Sequence, residues 1–440
     1  MRPIILDEES GHSHHKHEVS GKGFKHLTPT REALDIVLVK LSTHPLKPEK
    51  CLIGAALGRV LAQDIVSSID IPSFNRAAMD GFAVRAEDTY GASATAPVFL
   101  QSVGSVPIGV VPTVILKRGE TVSVTTGARL PEGSDAVVMV EYTRPGTGKV
   151  VEVSDQVHPA ENVSRIGEDI QKGTVVLKHG TRLLPQDIGI LSSLGYADVQ
   201  VKPKLRIAVL STGNELQKDL TPTLGKIADV NRPVLLSAIR QLGCEAVDMG
   251  IATDEFEEIS AKLKEAIESA DLVLVTAGTS VGPGDIVPKV IGSLGEPGML
   301  VHGVAMRPSM PTGLAVVKGK PIISLPGYPV SAYLAFLEFV PVLVNHMLGV
   351  ISLPSPTVKA KLQRRITGIL GSRTYVRVQV FEREGTIFAE PVRTSGAGIL
   401  SSLVQANGFI IVPEHVEGYE EGQVVEVELF RPVEEERNDR

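Results

Sequence analysis

A chain of 440 residues with 22% charged side chains and a formal net charge of −7 has the composition of a soluble globular protein of about two to four domains. Lys and Arg are dispersed and no aromatic-plus-basic patch stands out, which excludes a general field for nucleic acid. No apolar run approaches the roughly 20 residues of a bilayer span and no signal-peptide layout follows Met1, so no membrane is expected. Cys51 and Cys244 are too far apart for metal spacing and read as buried free thiols of a reducing cytoplasm.

Residues 1–27 read as a disordered polar tail with His12, His14, His15, His17 and His26 among Gly, Ser and Lys. Such a tract either holds a transition metal loosely or has no part in chemistry. Ala33, Leu34, Val37, Leu38 and Leu41 then predict an amphipathic helix over 30–42. From 98 to 153 short β-type runs alternate with Gly and Pro, and a helix is predicted to begin near Pro185. A different regime opens at Leu205. Strands are predicted over 206–210, 244–251, 272–276 and 321–325, and helices over 233–242, 255–270, 286–294 and 329–347, with Asp254 capping the second helix. Strands alternating with helices indicate a parallel sheet in three layers. Beyond the Pro-rich break at 353–356, the runs YVRVQVFE and GQVVEVELF predict a small β-domain, followed by a charged tail.

The most informative stretch is the apolar run 272–275, which ends in a loop of Thr276, Gly278, Thr279, Ser280, Gly282, Gly284 and Asp285. In open α/β sheets ligands bind where such loops leave the carboxyl ends of the strands. Ser211-Thr212-Gly213-Asn214-Glu215 repeats the pattern after the first strand, and Leu325-Pro326-Gly327-Tyr328-Pro329 makes a third strand-to-helix turn with Pro329 near the helix start. Three further loops precede them. Asp80 lies in an Asp-Gly turn, where a structural carboxylate and a functional one are both open. Thr125-Thr126-Gly127 presents two hydroxyls to an oxyanion or makes a plain turn. Arg165-Ile166-Gly167-Glu168-Asp169 combines a cation with two carboxylates, which suits Mg²⁺ and phosphate or a solvated turn. No Ser/His/Asp order, GxSxG or HExxH is present. The carboxylates of Asp80, Asp169, Glu215 and Asp285 belong to hard-cation chemistry, and together the loops read as Mg²⁺-assisted cleavage or transfer at a phosphate ester or anhydride.

IDIPSFNRAAMDGFAVR, TTGARLPEGSDAVVMVE, ENVSRIGEDI, STGNEL, GKIADVN, TSVGPGD and LPGYPVSA occur in that order. On these stretches the chain resembles the MoeA/gephyrin E-domain family, the molybdopterin molybdenumtransferases. The resemblance implies a multidomain α/β plus β protein. Domain I would span 28–70 and 166–203, split around a β-rich domain II over 71–165. A three-layer α/β molybdopterin-binding domain III would span 204–350 and a β-barrel domain IV 351–434. It also implies a homodimer whose active site lies between domain III of one subunit and the other subunit's N-terminal lobe. The implied reaction takes adenylylated molybdopterin and molybdate, or tungstate, inserts the metal at the dithiolene and releases AMP with Mg²⁺ assisting. A molybdopterin adenylyltransferase is the implied partner.

By motif, the catalytic positions are Asp80, Thr126, Asp169, Glu215 and Asp285, with Glu215 and Asp285 placed to position Mg²⁺ or the pterin. Arg165, Ser211, Thr212, Gly213, Gly278, Thr279, Ser280, Gly282, Arg307, Pro326, Gly327 and Pro329 fall at substrate-binding positions. The chain departs from the family where KPGKP is common, since it carries Arg307-Pro308-Ser309-Met310-Pro311. One cation survives as Arg307 and the second is Met310, a loss of about 1.5–3 kcal/mol if that cation contacts an anion. Ala277 and Ser309 replace glycines, Asn214 stands where Asp is frequent, and Tyr328 marks a branch of the family. These departures keep a second reading open, a non-catalytic molybdopterin-binding or scaffold paralogue.

Overall fold

The computed structural model describes residues 27–41, 46–217, 221, 224–276, 286–350, 356–392 and 398–435. The chain divides into two compact units. One is Lys50–Val201, and the other comprises the segments on either side of it.

In the first unit, six strands form one sheet in the order Ala136–Met139, Gly81–Val84, Glu120–Val124, Val98–Val106, Val150–Val153, Thr143–Pro145. Successive side chains alternate between the sheet's faces. Val84, Ala136 and Val138 therefore enter one apolar cluster, and Ala83, Val122 and Val137 the other. Both faces are covered, which is why these strands read as short unbroken apolar runs. A separate apolar cluster of the unit includes Cys51, Leu61, Leu183 and Leu191, the last on the helix Pro185–Ser193. Pro185 opens this helix, and Asp187 Oδ2 accepts the Leu184 N–H at 2.8 Å, the reciprocal half of a capping box. Cys51 and Cys244 are both buried and form no disulfide, as expected.

The second unit is built on a six-stranded sheet in the order Glu245–Ala252, Arg206–Thr212, Leu272–Thr276, Lys320–Leu325, Gly313–Val317, Pro297–His302. The first four strands are parallel, as the sequence predicts. The last two pairings are antiparallel, so Gly313–Val317 alone runs against the other strands and the sheet is mixed. The hairpin turn that reverses the chain is Lys318-Gly319, with φ of 52° and 75°. Two residues at positive φ make the tight turn that matches strand twist, and this Lys-Gly pair was the local signal for the unpredicted strands. Ala208, Leu210, Val273 and Val275 pack with the helices Phe256–Ser269 and Val287–Ser293 on one face. Asn231–Gln241 and Pro329–Leu348 pack with each other and with the sheet, completing three layers.

The helix Thr30–Lys40 packs on Gly313–Val317, Pro297–His302 and Pro329–Leu348. It thus groups with the α/β unit, whereas the sequence motifs assign residues 28–70 to one domain. Contrary to the sequence expectation that no apolar run approaches a bilayer span, Pro329–Leu348 is 20 residues long and apolar enough by composition to cross a membrane. Leu334, Phe336, Phe339, Val340 and Leu343 are buried in the protein core.

Beyond residue 356 a five-stranded barrel closes in the order Arg373–Arg383, Thr386–Pro391, Thr357–Leu362, Val424–Leu429, Gly408–Val412 and back to Arg373–Arg383. Alternate residues of its strands, among them Val376, Val378, Val380, Val425 and Val427, fill the interior. The short strand Met306–Arg307 joins the barrel edge in parallel with Arg373 and Thr374.

Candidate active site

Two clusters carry the described site residues, one in each unit. In the first unit, Gly81 explains why the Asp-Gly pair must stand where it does. A Cβ on Gly81 would sit 1.9 Å from Val138 O, so only glycine allows the two strands to pair. Asp80 is thereby held at a strand end beside the TTGA turn. Asp80 Oδ1 accepts the Thr126 N–H at 2.6 Å and the Thr126 hydroxyl at 2.8 Å. These bonds, the backbone one foremost, hold the exposed Asp80 carboxyl below the usual carboxylate range. The third motif reaches the same segment through strand pairing. Val163–Ser164 pairs with Arg76–Ala77, and Arg76 bridges to Arg129. MDG, TTGA and RIGED are therefore gathered around one stretch of backbone.

Within RIGED, Glu168 is the residue that builds the turn. It accepts the Ser164 hydroxyl and the Arg165 N–H, the latter at 2.7 Å, and the Ser164 bond foremost draws its carboxyl below the usual range. Gly167 takes φ of 70°, and its N–H donates to Pro72 O at 2.9 Å. Arg165 and Asp169 are exposed. The Arg129 guanidinium lies 5.4 Å from the centre of the Phe74 ring, a cation–π contact that the motif reading did not single out.

In the α/β unit, adjacent strands bring Ser211 opposite Thr276 and Thr276 opposite Leu325. Three strand-to-loop exits thus open at one edge, as the repeated loop pattern implied. Ser211 and Thr212 are fully buried. The Thr276 hydroxyl donates to Ser211 Oγ at 3.1 Å, and the Thr212 hydroxyl donates to Thr276 O at 3.2 Å. These hydroxyls tie the edge together. Gly213 has φ of 148°, and a Cβ there would lie 2.7 Å from both Glu215 carboxylate oxygens. Its bare Cα lets Glu215 fold back over the turn.

Asp254 differs from expectation. The helix Phe256–Ser269 has no side-chain cap. Asp254 Oδ2 instead accepts the Asn214 N–H at 3.1 Å, while Asn214 Oδ1 accepts the Asp254 N–H at 3.2 Å. The two side chains clasp neighbouring strand exits, a pairing of distant loops that a local capping rule cannot find.

A cavity of about 560 Å³ opens at this edge. Its lining includes Glu215, Asn231, Thr276, Pro326, Gly327, Tyr328 and Pro329. Pro329 is the first residue of its helix, and Tyr328 is 66% exposed. Arg307 belongs to the strand beside the barrel and is not among the cavity-lining residues. Its neighbour Ser309 has φ of 107°, the left-handed region that favours glycine, and its hydroxyl donates to Ser331 O at 2.7 Å. Met310 packs against Leu27 and Ala305, so the position of the lost cation is an apolar contact. Gly278, Thr279, Ser280, Gly282 and Asp285 lie outside the described residues. Among the described residues no group of three His, Cys, Asp or Glu side chains forms a metal cluster.

The comparisons with known proteins agree over three successive regions. Residues 28–195 match the model of the MoeA N-terminal region (domain I and II), 208–345 the "Probable molybdopterin binding domain", and 359–430 the MoeA C-terminal region (domain IV). The chain is 35% identical over 380 residues to a molybdopterin molybdenumtransferase of Bacillus subtilis, covering 86% of this chain and 88% of that one.

The chain belongs to the MoeA family.

A molybdopterin molybdenumtransferase 2 of Mycobacterium tuberculosis is 35% identical over 366 residues, covering 82% of this chain and 90% of its own. The crystal structure of a molybdopterin biosynthesis MoeA protein of Pyrococcus horikoshii superposes with a TM-score of 0.80 at 34% identity, covering 92% of this chain and all of that one. MoeA membership places the chain among enzymes of molybdenum cofactor biosynthesis. The fold read from its motifs, with α/β and β-rich parts and a C-terminal barrel, is the MoeA fold.

Proposed function

We propose that this protein inserts molybdate or tungstate into adenylylated molybdopterin and releases AMP. The observation that carries the reading is the cavity at the shared edge of three strands, lined by Glu215 and the Pro326–Pro329 turn, in a chain of the MoeA family. The start of the Pro329–Leu348 helix adds unpaired N–H groups and a positive dipole end, which favour a phosphate. Asp80 is held ionised by Thr126. It acts in this reading as a fixed anion that orients a donor group on the reactants, since a carboxyl with a lowered pKa makes a poor proton donor near neutral pH.

Mg²⁺ fits the donor chemistry. Hard cations are commonly held by one or two carboxylates together with substrate phosphates and water. Glu215 supplies such an oxygen at the cavity, and Asp285 is the second proposed ligand. When bound, the ion would neutralise charge at the anhydride. The protein is proposed to act as a cytoplasmic homodimer and to receive its substrate from a molybdopterin adenylyltransferase. Sedimentation of the purified chain should give twice the monomer mass of 46.9 kDa.

The test mixes purified protein with adenylylated molybdopterin, Mg²⁺ and each oxyanion in turn. AMP release that depends on the oxyanion supports the reading and ranks the two metals. Asp80→Ala should keep the fold and lose AMP release. The Met310 contact with Leu27 and Ala305 favours a second reading, a binding paralogue without turnover. Tight pterin retention with no AMP release would establish it.

A further inference from the structure

Asn231 begins the helix Asn231–Gln241, yet its side chain does not cap that helix. It is 9% exposed and lines the cavity with Glu215, Thr276 and Tyr328. Its Nδ2 donates to Gly327 O at 2.8 Å, across to the turn before the long helix. A carbonyl oxygen can only accept, so this contact fixes which end of the amide is nitrogen. The buried Oδ1 then has no hydrogen-bond partner among the described residues. A buried acceptor left unpaired is costly, and here it stands in the wall of a ligand-sized cavity.

We infer that Asn231 is a specificity-determining residue, whose Oδ1 accepts an N–H from the amino-pyrimidinone edge of the bound pterin while its Nδ2 holds the Gly327 turn in place.

This assignment rests on the proposed pterin substrate. It follows from which hydrogen-bonding groups remain available. Nδ2 uses one of its two N–H groups on Gly327 O, and the atom left without any partner is the acceptor Oδ1, which calls for a donor from the ligand. A phosphate oxygen would meet it as a second acceptor. An adenine edge offers one amino donor beside ring acceptors. The pterin edge carries adjacent N–H donors, its 2-amino group and N3–H. Tyr328, a largely exposed ring on the same wall, offers a face on which a flat heterocycle can stack.

The experiment uses two probes on the full chain, pterin (2-amino-4-oxopteridine) and lumazine, in which a carbonyl replaces the amino group. Affinities are read by fluorescence for wild type, Asn231→Leu and Asn231→Asp. Wild type should bind pterin at least about tenfold more tightly than lumazine, because the lumazine carbonyl would face Oδ1. Asn231→Leu should shrink that ratio to within about twofold, and Asn231→Asp, which keeps an acceptor, should preserve the preference. A purely structural role would weaken both probes equally and leave the ratio unchanged, which would overturn the assignment. So would a wild type with no preference, a result that needs no variant to fold. AMP release by wild type tests the reaction separately. Its absence beside an intact pterin preference would sink the proposed turnover and leave Asn231 as assigned.

Discussion

Asp80 and Thr126 are joined twice, with Oδ1 of Asp80 accepting both the N–H and the hydroxyl of Thr126. The pair locks the MDG and TTGA motifs together across 46 residues of sequence. It also uses the Thr126 hydroxyl proton inside the protein, so that hydroxyl meets a ligand as an acceptor.

Thr126→Val removes the hydroxyl bond and keeps the backbone one. The Asp80 carboxyl should then titrate at higher pH than in wild type while staying below the ordinary Asp value. The sign follows from the depressed folded-state pKa. The pair's contribution is present above the unfolded value of about 3.9 and is lost as pH falls through the folded one. Carboxyl-detected NMR titration of both proteins checks this, and identical midpoints would contradict it.

Gly81 and Gly213 should respond differently to alanine. At Gly81 the new Cβ meets the backbone Val138 O, which cannot move without opening the sheet. Gly81→Ala should lower stability by about 3 kcal/mol or more, seen as a lower denaturant midpoint or loss of soluble protein. At Gly213 the obstacle is the Glu215 carboxylate, the far end of a flexible side chain. Gly213→Ala should cost about 1–2 kcal/mol, from backbone strain, yet reduce AMP release at least about tenfold by displacing Glu215. Full activity in Gly213→Ala would separate Glu215 from the reaction.

Ser309 tests strain against a hydrogen bond. Its φ of 107° suits glycine, while its hydroxyl donates to Ser331 O. Ser309→Gly relieves the strain and loses the bond, so the two changes should nearly cancel. Ser309→Ala keeps the strain and loses the bond, and should be the less stable variant by about 1 kcal/mol. Equal denaturation midpoints would show that the bond contributes nothing.

Met310→Lys restores the side chain common in the family. Because Met310 packs against Leu27 and Ala305, the lysine should destabilise the protein by about 1–3 kcal/mol. Substrate affinity should not improve. A tighter Kd without loss of stability would show that the position still faces the ligand.

The motifs, read in order, were enough to identify the family, because each couples a turn residue to a carboxylate or hydroxyl within a few positions. The strand-helix alternation after Leu205 was legible for the same reason, since its periodicities are local. The chain text also placed three strand exits at one sheet edge, because parallel strands joined by helices must point the same way. Other features depend on residues far apart in sequence. The hairpin at Lys318-Gly319 turned the sheet mixed, and the helix Thr30–Lys40 settled on the α/β unit, because burial of an apolar face is decided by what surface is available. Asn214 met Asp254, Asn231 met Gly327, and Met310 met Leu27 only when separate segments were brought into contact. Sequence alone determined which chemical groups stand at each loop. Tertiary structure decided which of their donors and acceptors remain free, because a hydrogen bond already made inside the protein is no longer available to a ligand.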